Sequence, residues 1–120
     1  MSPTRTLARI AVIGDVMVDR YITGSVSRIS PEAPVPVLLH GAERIVAGGA
    51  ANVAANAAAL GAAVALVGLV GHDQPAEQLR GVLSDHPSID LSGLVIDPSR
   101  PTVTKTRVMS GHQQIVRIDA

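Results

Sequence analysis

The sequence of 120 residues predicts an α/β protein with a mainly parallel sheet. Residues 9–14 (RIAVIG) and 63–70 (AVALVGLV) are apolar without alternation, which is typical of parallel strands buried on both faces. Between them, the alanine-rich segment 49–60 predicts a helix, because Ala has the highest helix propensity. A right-handed crossover is expected for this order of elements. The length fits one domain or part of one.

The composition predicts a core of small aliphatic side chains and argues against several classes of function. Apolar residues make up 47% of the chain, but Phe and Trp are absent and Tyr21 is the single aromatic residue. Close packing of Ala, Val, Ile and Leu must therefore shape the core. Ten basic and ten acidic residues cancel. This balance disfavours binding to nucleic acid or to an anionic membrane surface.

Metal, thiol and membrane chemistry are not expected from the sequence. Without cysteine there can be no disulfide, thiolate nucleophile or cysteine zinc site. The histidines are too scattered to offer two ligands from one helix face. No run resembles a signal peptide or approaches the roughly 20 apolar residues of a membrane span, so a cytoplasmic protein is expected.

Two carboxylates follow the first predicted strand, which ends at Gly14. Asp15 and Asp19 lie just past the C-terminal end of this strand, the edge at which open α/β sheets bind ligands. In an extended chain their side chains would be about 13 Å apart, but a bend after Gly14 would let both line one pocket. One hypothesis is recognition of sugar hydroxyls; the alternative is a solvated turn in which Asp15 caps a local group.

Residues 21–47 predict a lid or flap separate from the main sheet. Prolines exclude a helix here and disfavour a central strand, since each lacks a hydrogen-bond donor. The prolines are Pro31, Pro34 and Pro36. A small, partly exposed sheet is the expected structure. Its extended pieces are predicted at about 22–28, 35–40 and 43–47.

The helix at 49–60 begins behind Gly48 and Gly49 and should end at Gly61, a residue suited to a left-handed C-terminal position. Two glycines allow close approach of backbone to a ligand, and free N–H groups at a helix start favour a polar or anionic one. Asn52 could add an amide contact. The alternative is a flexible loop entering a helix, because the segment matches neither a Walker loop nor G-x-G-x-x-G.

The second half of the chain predicts one helix and three strands. The helix covers about 74–85, with Asp73 as its N-cap and Pro75 in the tolerant first turn. The strands are expected at 89–96, 102–110 and 113–119, with turns at Asp97-Pro98 and Gly111-His112.

The last two strands carry a basic face. Lys105 and Arg107 alternate on one strand and so share a face. They could bind a substrate phosphate, which Arg grips with two hydrogen bonds. The alternative is the solvated outer face of a hairpin. The same two interpretations, phosphate binding or a solvated surface, apply to further polar residues. These are Gln114 and Arg117 on the opposing strand and Arg28 and Arg44 in the flap.

Four stretches, taken in order, resemble the start of a ribokinase-type (PfkB family) sugar kinase. They are IGDVMVDRYITGSVSRISPEAPVPV, AGGAANVAANAAALGA, LVGLVGHD and PTVTKTRVMSGHQQIVRID. The GGAANVA element is shared by ribokinase-type kinases generally. The motifs SRISPEAPVPV and TKTRVMSGHQQIVRID are narrower and are most similar to the heptose 7-phosphate kinases of lipopolysaccharide synthesis. The resemblance implies a ribokinase-like fold, with helices flanking the sheet and a small β lid, of which residues 1–120 are the N-terminal part.

This resemblance also implies roles for individual residues. Such kinases phosphorylate a sugar hydroxyl with ATP and Mg²⁺, and the heptose 7-phosphate kinases among them convert heptose 7-phosphate to its 1,7-bisphosphate. The implied substrate contacts are Asp19 with Asp15 beside it, the di-glycine loop of Gly48 and Gly49 with Asn52, and Lys105, Arg107 and Gln114. Ala50 occupies the position at which ribokinases often have Lys, so the substrate contact of that Lys is not expected in this chain. Segments 21–47 and 102–119 resemble the lid that pairs two subunits in many relatives, which implies a homodimer.

The G-A-G-D element of these kinases is absent from the sequence. Its helix start stabilises the transferring phosphoryl group and its Asp acts as general base. We therefore expect the general base and most of the ATP and Mg²⁺ site beyond Ala120, and no activity from this stretch alone. Two alternatives remain: a kinase for another sugar, and a non-catalytic binding or dimerisation module, which would expose open sheet edges.

Overall fold

The computed structural model describes residues 8–120, and in that range it shows an α/β fold with two sheets and two helices. The predicted fold class is confirmed. The first seven residues of the predicted domain lie outside the described range. The strands are β1 (Arg9–Ile13), β2 (Val16–Ile29), β3 (Pro36–Gly49), β4 (Ala63–Val70), β5 (Ile89–Asp90), β6 (Leu94–Ile96), β7 (Val103–Ser110) and β8 (Gln113–Asp119). The helices are α1 (Ala50–Ala59) and α2 (Gln74–Leu83).

The first sheet is parallel, as the two apolar runs predict. β4 pairs with β1 on one side and with β5 and β6 on the other. One face of β4 is fully covered, since Val64, Leu66 and Val70 are buried, and α1 packs against this strand. On the opposite face Val67 and Leu69 remain partly exposed.

The second sheet has the strand order β3-β2-β7-β8. β2 and β7 are parallel, whereas the other two pairs are antiparallel. The predicted hairpin of β7 and β8 is confirmed, and Gly111 makes its turn with a φ of 60°. Neither helix of residues 8–120 is long and apolar enough to cross a membrane.

The flap differs in detail from its prediction. β2 begins at Val16, and the pieces expected at 35–40 and 43–47 are a single strand, β3. A bulge explains this continuity: Ala42 pairs with Thr23 and His40 with Gly24, so Gly41 is left without a partner and the strand bends without ending. The prolines remove no hydrogen bond between strands, because β3 is an edge strand and Pro36 is its first residue.

Two further predictions need correction at their boundaries. The strand expected at 89–96 is divided into β5 and β6, because the backbone N–H of Ser92 donates to Asp90 Oδ1 at 2.9 Å and makes a turn. The second helix ends at Leu83 rather than near residue 85. Its predicted N-cap is confirmed, since Asp73 Oδ1 accepts from the N–H of Ala76 at 3.1 Å.

The core lies between the helices and one face of the second sheet. Val16, Val18 and Ala47 of β2 and β3 are buried in one cluster with residues of α1, α2 and β4. α2 contacts both β2 and β3. Because side chains alternate along a strand, Asp19 and Tyr21 of β2 point to the opposite face, away from this core.

Candidate functional site

The face of the second sheet that points away from the helices carries the candidate site. The register places Asp19 beside Lys105 and Tyr21 beside Arg107, and on the other side of β2 it places Arg44 beside Tyr21. Paired residues share a face, so five polar or aromatic side chains project together. We call this surface the site face; it consists of Asp19, Tyr21, Arg44, Lys105 and Arg107.

Asp19 and Arg107 form an ion pair on the site face. Arg107 Nη1 lies 3.4 Å from Asp19 Oδ1, and the two side chains are only 26% and 22% exposed. Partial burial weakens screening by water, so both charges act more strongly than they would on an open surface. The structure thus brings together two residues that the sequence placed 88 positions apart.

Gly48 provides the space that the Asp19 carboxylate occupies. A methyl group on Gly48 would lie 2.8 Å from Asp19 Oδ2 and 2.8 Å from Met17 Cγ. Gly49 is required for a second reason, since its φ of 57° lies in the left-handed region. The di-glycine therefore lets the backbone approach the carboxylate and turn into α1.

The start of α1 is tied to the end of β1. The N–H of Ala50 donates to the backbone carbonyl of Asp15 at 2.8 Å, so this first N–H of the helix is already engaged. Asn52 lies in the first turn and is exposed. Its side-chain amide makes no hydrogen bond with the described residues 8–120.

Asp15 and Asp19 lie in different surroundings. Asp15 lines a cavity of about 360 Å³ between the two sheets, together with Arg100 and mainly apolar side chains such as Val67. Asp19 is not among the residues that line this cavity. The chain does break between β1 and β2, but Asp15 and Asp19 do not line the same cavity.

Lys105 is directed away from Asp19 by a second ion pair. Its Nζ lies 3.7 Å from Asp119 Oδ2, and Arg117 Nε lies 2.9 Å from the other oxygen of the same carboxylate. The hydrogen bond from Arg117 lowers the pKa of Asp119, which stays ionised at neutral pH. Gln114 pairs with Met109 near the hairpin turn, and it is exposed and further from Asp19 than Arg107 is.

Tyr21 is a site-face residue that the sequence alone did not single out. The guanidinium carbons of Arg44 and Arg107 lie 5.0 and 5.5 Å from the centre of its ring. Both distances are within the range of a cation–π interaction. A signal was present in the sequence, because Tyr21 follows Asp19 by two residues and must share its face of a strand.

A partly buried hydrogen-bond network fixes the start of β7. The Asp73 carboxylate accepts a hydrogen bond from the backbone N–H of Thr102 at 2.8 Å and another from the Thr102 hydroxyl at 2.6 Å. The same hydroxyl oxygen accepts from the backbone N–H of Gly71 at 2.9 Å. Burial acts to raise the pKa of Asp73, but hydrogen bonds from Thr102 and Ala76 outweigh it, and the net pKa is lowered. This network holds the strand that carries Arg107.

Comparison with protein families gives one match that spans nearly the whole chain. Residues 7–120 match the model described as pfkB family carbohydrate kinase. The chain belongs to this family. Among curated relatives, it is 78% identical over 114 residues to the bifunctional protein HldE of Azorhizobium caulinodans, covering 95% of the chain and 24% of that protein. It is 64% identical over 111 residues to HldE of Gluconobacter oxydans, covering 92% and 23%. The chain thus spans about a quarter of the length of these relatives.

Solved structures confirm the ribokinase-like fold. Arabidopsis thaliana ribokinase complexed with ribose and ATP matches with a TM-score of 0.75 at 20% identity, covering 96% of this chain and 36% of that one. A carbohydrate kinase from Agrobacterium tumefaciens gives the same TM-score at 19% identity, covering 95% and 36%. The resemblance to PfkB kinases is therefore confirmed by sequence and by fold.

Proposed function

We propose that this chain is the sugar-binding part of an ATP-dependent kinase that phosphorylates heptose 7-phosphate at O1, in the synthesis of the lipopolysaccharide core. The observation that carries the proposal is the partly buried Asp19 carboxylate, held between Arg107 and the space left by Gly48. The similarity to HldE proteins supports a heptose over other sugars. The full protein is expected to act in the cytoplasm.

The site face supplies binding and orientation. A carboxylate offers acceptors for two neighbouring sugar hydroxyls, and the ion pair with Arg107 holds the Asp19 side chain in one orientation. Since Gly48 has no side chain, the Asp19 carboxylate can lie close to the backbone of β3. We keep Asp19, Gly48 and Arg107 as the central contacts of the proposal. The other predicted contacts are Asp15, Gly49, Asn52, Lys105 and Gln114, of which Lys105 is engaged by Asp119.

The phosphoryl-transfer chemistry is assigned to other parts of the full protein. The described residues 8–120 contain no group of three His, Cys, Asp or Glu side chains that could hold a metal ion. They therefore do not by themselves fit Mg²⁺, and no step proposed for them involves it. ATP, Mg²⁺ and the general base are expected in the length of the relatives that this chain does not span. Pairing of two subunits through the strands of the lid is part of the same proposal.

The test uses the full-length protein that contains this segment, with ADP release as the measurement. We expect much faster turnover of heptose 7-phosphate than of ribose, fructose or adenosine. Asp19→Asn should lower kcat/KM for the heptose by about tenfold or more, because an amide is a weaker acceptor for hydroxyls than a carboxylate. The control Asp85→Asn changes an exposed residue in the turn after α2 and should leave the kinetics unchanged.

Comparable rates with an unphosphorylated sugar would contradict the heptose assignment. Wild-type kinetics for Asp19→Asn, with unchanged thermal stability, would show that Asp19 does not contact the sugar.

A further inference from the structure

Three neighbouring strands place Arg44, Tyr21 and Arg107 in one row across the site face. Arg44 of β3 and Arg107 of β7 both pair in register with Tyr21 of β2, from its two sides. Their guanidinium carbons lie 5.0 and 5.5 Å from the ring centre. Two cations therefore stand close to one aromatic ring, and they flank it from opposite strands.

The charges of this row are not balanced within the described chain. Arg107 shares the charge of Asp19 at 3.4 Å, whereas no carboxylate of residues 8–120 lies within 4.0 Å of Arg44. The neighbouring Glu43 cannot serve, because it projects to the opposite face and pairs with Arg20 at 3.0 Å. Like charges gathered without a counter-ion repel each other, so an anion bound between them would be stabilised.

Lys105 is a poorer partner for such an anion. Its ammonium group is 3.7 Å from Asp119, which also receives Arg117. Binding an anion through Lys105 would mean breaking this ion pair. Arg44 can bind one without losing an ionic partner, and its planar group offers the paired donors that match a phosphate.

We propose that Arg44 and Arg107, which pair with Tyr21 from its two neighbouring strands, bind the phosphate group of a phosphorylated sugar whose hydroxyls are bound by Asp19. This inference rests on the proposed function and deepens it, since it assigns the selection of phosphorylated over unphosphorylated sugars to Arg44 and Tyr21. The row lies two residues along β2 from Asp19, about 7 Å. That spacing allows one ligand to reach both the carboxylate and the cations.

The test compares two ligands on the full-length protein and its Arg44→Gln variant. The ligands are heptose 7-phosphate, measured by KM, and unphosphorylated heptose, measured by its inhibition constant against the phosphorylated substrate. We expect the KM of Arg44→Gln to rise about ten- to hundredfold, the loss typical of a hydrogen bond to a charged group. kcat and the inhibition constant of heptose should change little.

Arg9→Gln is the matched control, because it removes an exposed arginine at the far end of β1 and should leave both constants unchanged. Salt gives a second readout: the KM of the wild type should rise with NaCl more steeply than that of Arg44→Gln.

Tyr21 is a positioning residue, so Tyr21→Phe should retain the preference for the phosphorylated sugar. Tyr21→Leu should lose most of it, as the cation–π contacts are removed.

Several outcomes would overturn the inference. An unchanged KM for Arg44→Gln would do so, as would an equal loss of affinity for both ligands. A change of subunit association in sedimentation, with equal loss for both ligands, would instead identify the row as a contact between subunits. If the wild type itself does not prefer the phosphorylated sugar, the proposed function fails. If it does prefer it and Arg44→Gln keeps that preference, only the role of Arg44 is refuted.

Discussion

The two ends of the β2–β3 hairpin belong to different environments, although the same two strands run through both. At the inner end, Val16 and Val18 are buried, with 2% and 0% of their surface exposed. At the outer end, Ile29 and Leu39 are 58% and 74% exposed. The inner end is part of the core, whereas the outer end extends beyond it.

This difference shows where along a continuous strand a binding site can form. Asp19 and Tyr21 lie between the two ends and are partly buried, so the core fixes their backbone while their side chains stay accessible. A residue further in would be covered by packing. One further out would lack support for a fixed geometry.

The largest expected effect compares a charge at the inner end with the same charge at the outer end. Val18→Asp should lower the free energy of unfolding by about 3 kcal/mol or more, because it buries a carboxylate without a partner. Leu39→Asp should change it by less than about 0.5 kcal/mol, since the side chain is exposed. Urea denaturation of the full-length variants measures both. Similar losses would show that the outer end is also covered in the full protein.

The next effect concerns the space beside Asp19. Gly48→Ala should lower kcat/KM about ten- to hundredfold, because its methyl group would displace the Asp19 carboxylate, and small misplacements in a site are costly. Gly81→Ala is the matched control. A methyl group there meets nothing within 4 Å, and it should raise the free energy of unfolding by about 0.5–1 kcal/mol without changing the kinetics. Full activity of Gly48→Ala would disprove the steric role of this glycine.

The smallest effect concerns the network that holds the start of β7. Because the pKa of Asp73 is lowered in the folded protein, its ionisation stabilises the fold above its ordinary pKa of about 3.9. That stability is lost as the pH falls through the lowered pKa. Asp73→Asn keeps an N-cap but loses the charge, so the melting temperatures of wild type and variant should converge below about pH 4. A constant difference down to pH 3 would contradict a role for the charge.

Most of the fold could be predicted from local patterns in the sequence. Apolar runs indicated β1 and β4, alanine content indicated α1, and Asp73 marked the start of α2. The length of the flap strands could not be predicted, because a bulge at Gly41 depends on pairing with a partner strand. The division of β5 from β6 depends likewise on an Asx turn that competes with the strand.

The candidate site was predicted in its parts but not in its arrangement. Asp19, Gly48 and Arg107 were each identified from local context, yet their proximity depends on the parallel pairing of β2 with β7. No local pattern encodes a pairing between residues so distant in sequence. Tyr21 was missed although its spacing from Asp19 places both on one face, because its contacts come from arginines on two other strands.

The bulge at Gly41 also decides which side chains of β3 lie on the site face. Before the bulge, Ala42 and Arg44 share the site face; beyond it the alternation is reversed, and Leu39, paired with Ser25, takes the same side. A single unpaired residue thus places an apolar side chain, that of Leu39, at the edge of the site face. If Gly41 paired in regular register instead, the alternation would place Leu38 rather than Leu39 on the site face. Removal of this bulge would therefore change the apolar side chain at the edge of the site face, while the register at Asp19 and Arg44 stays the same.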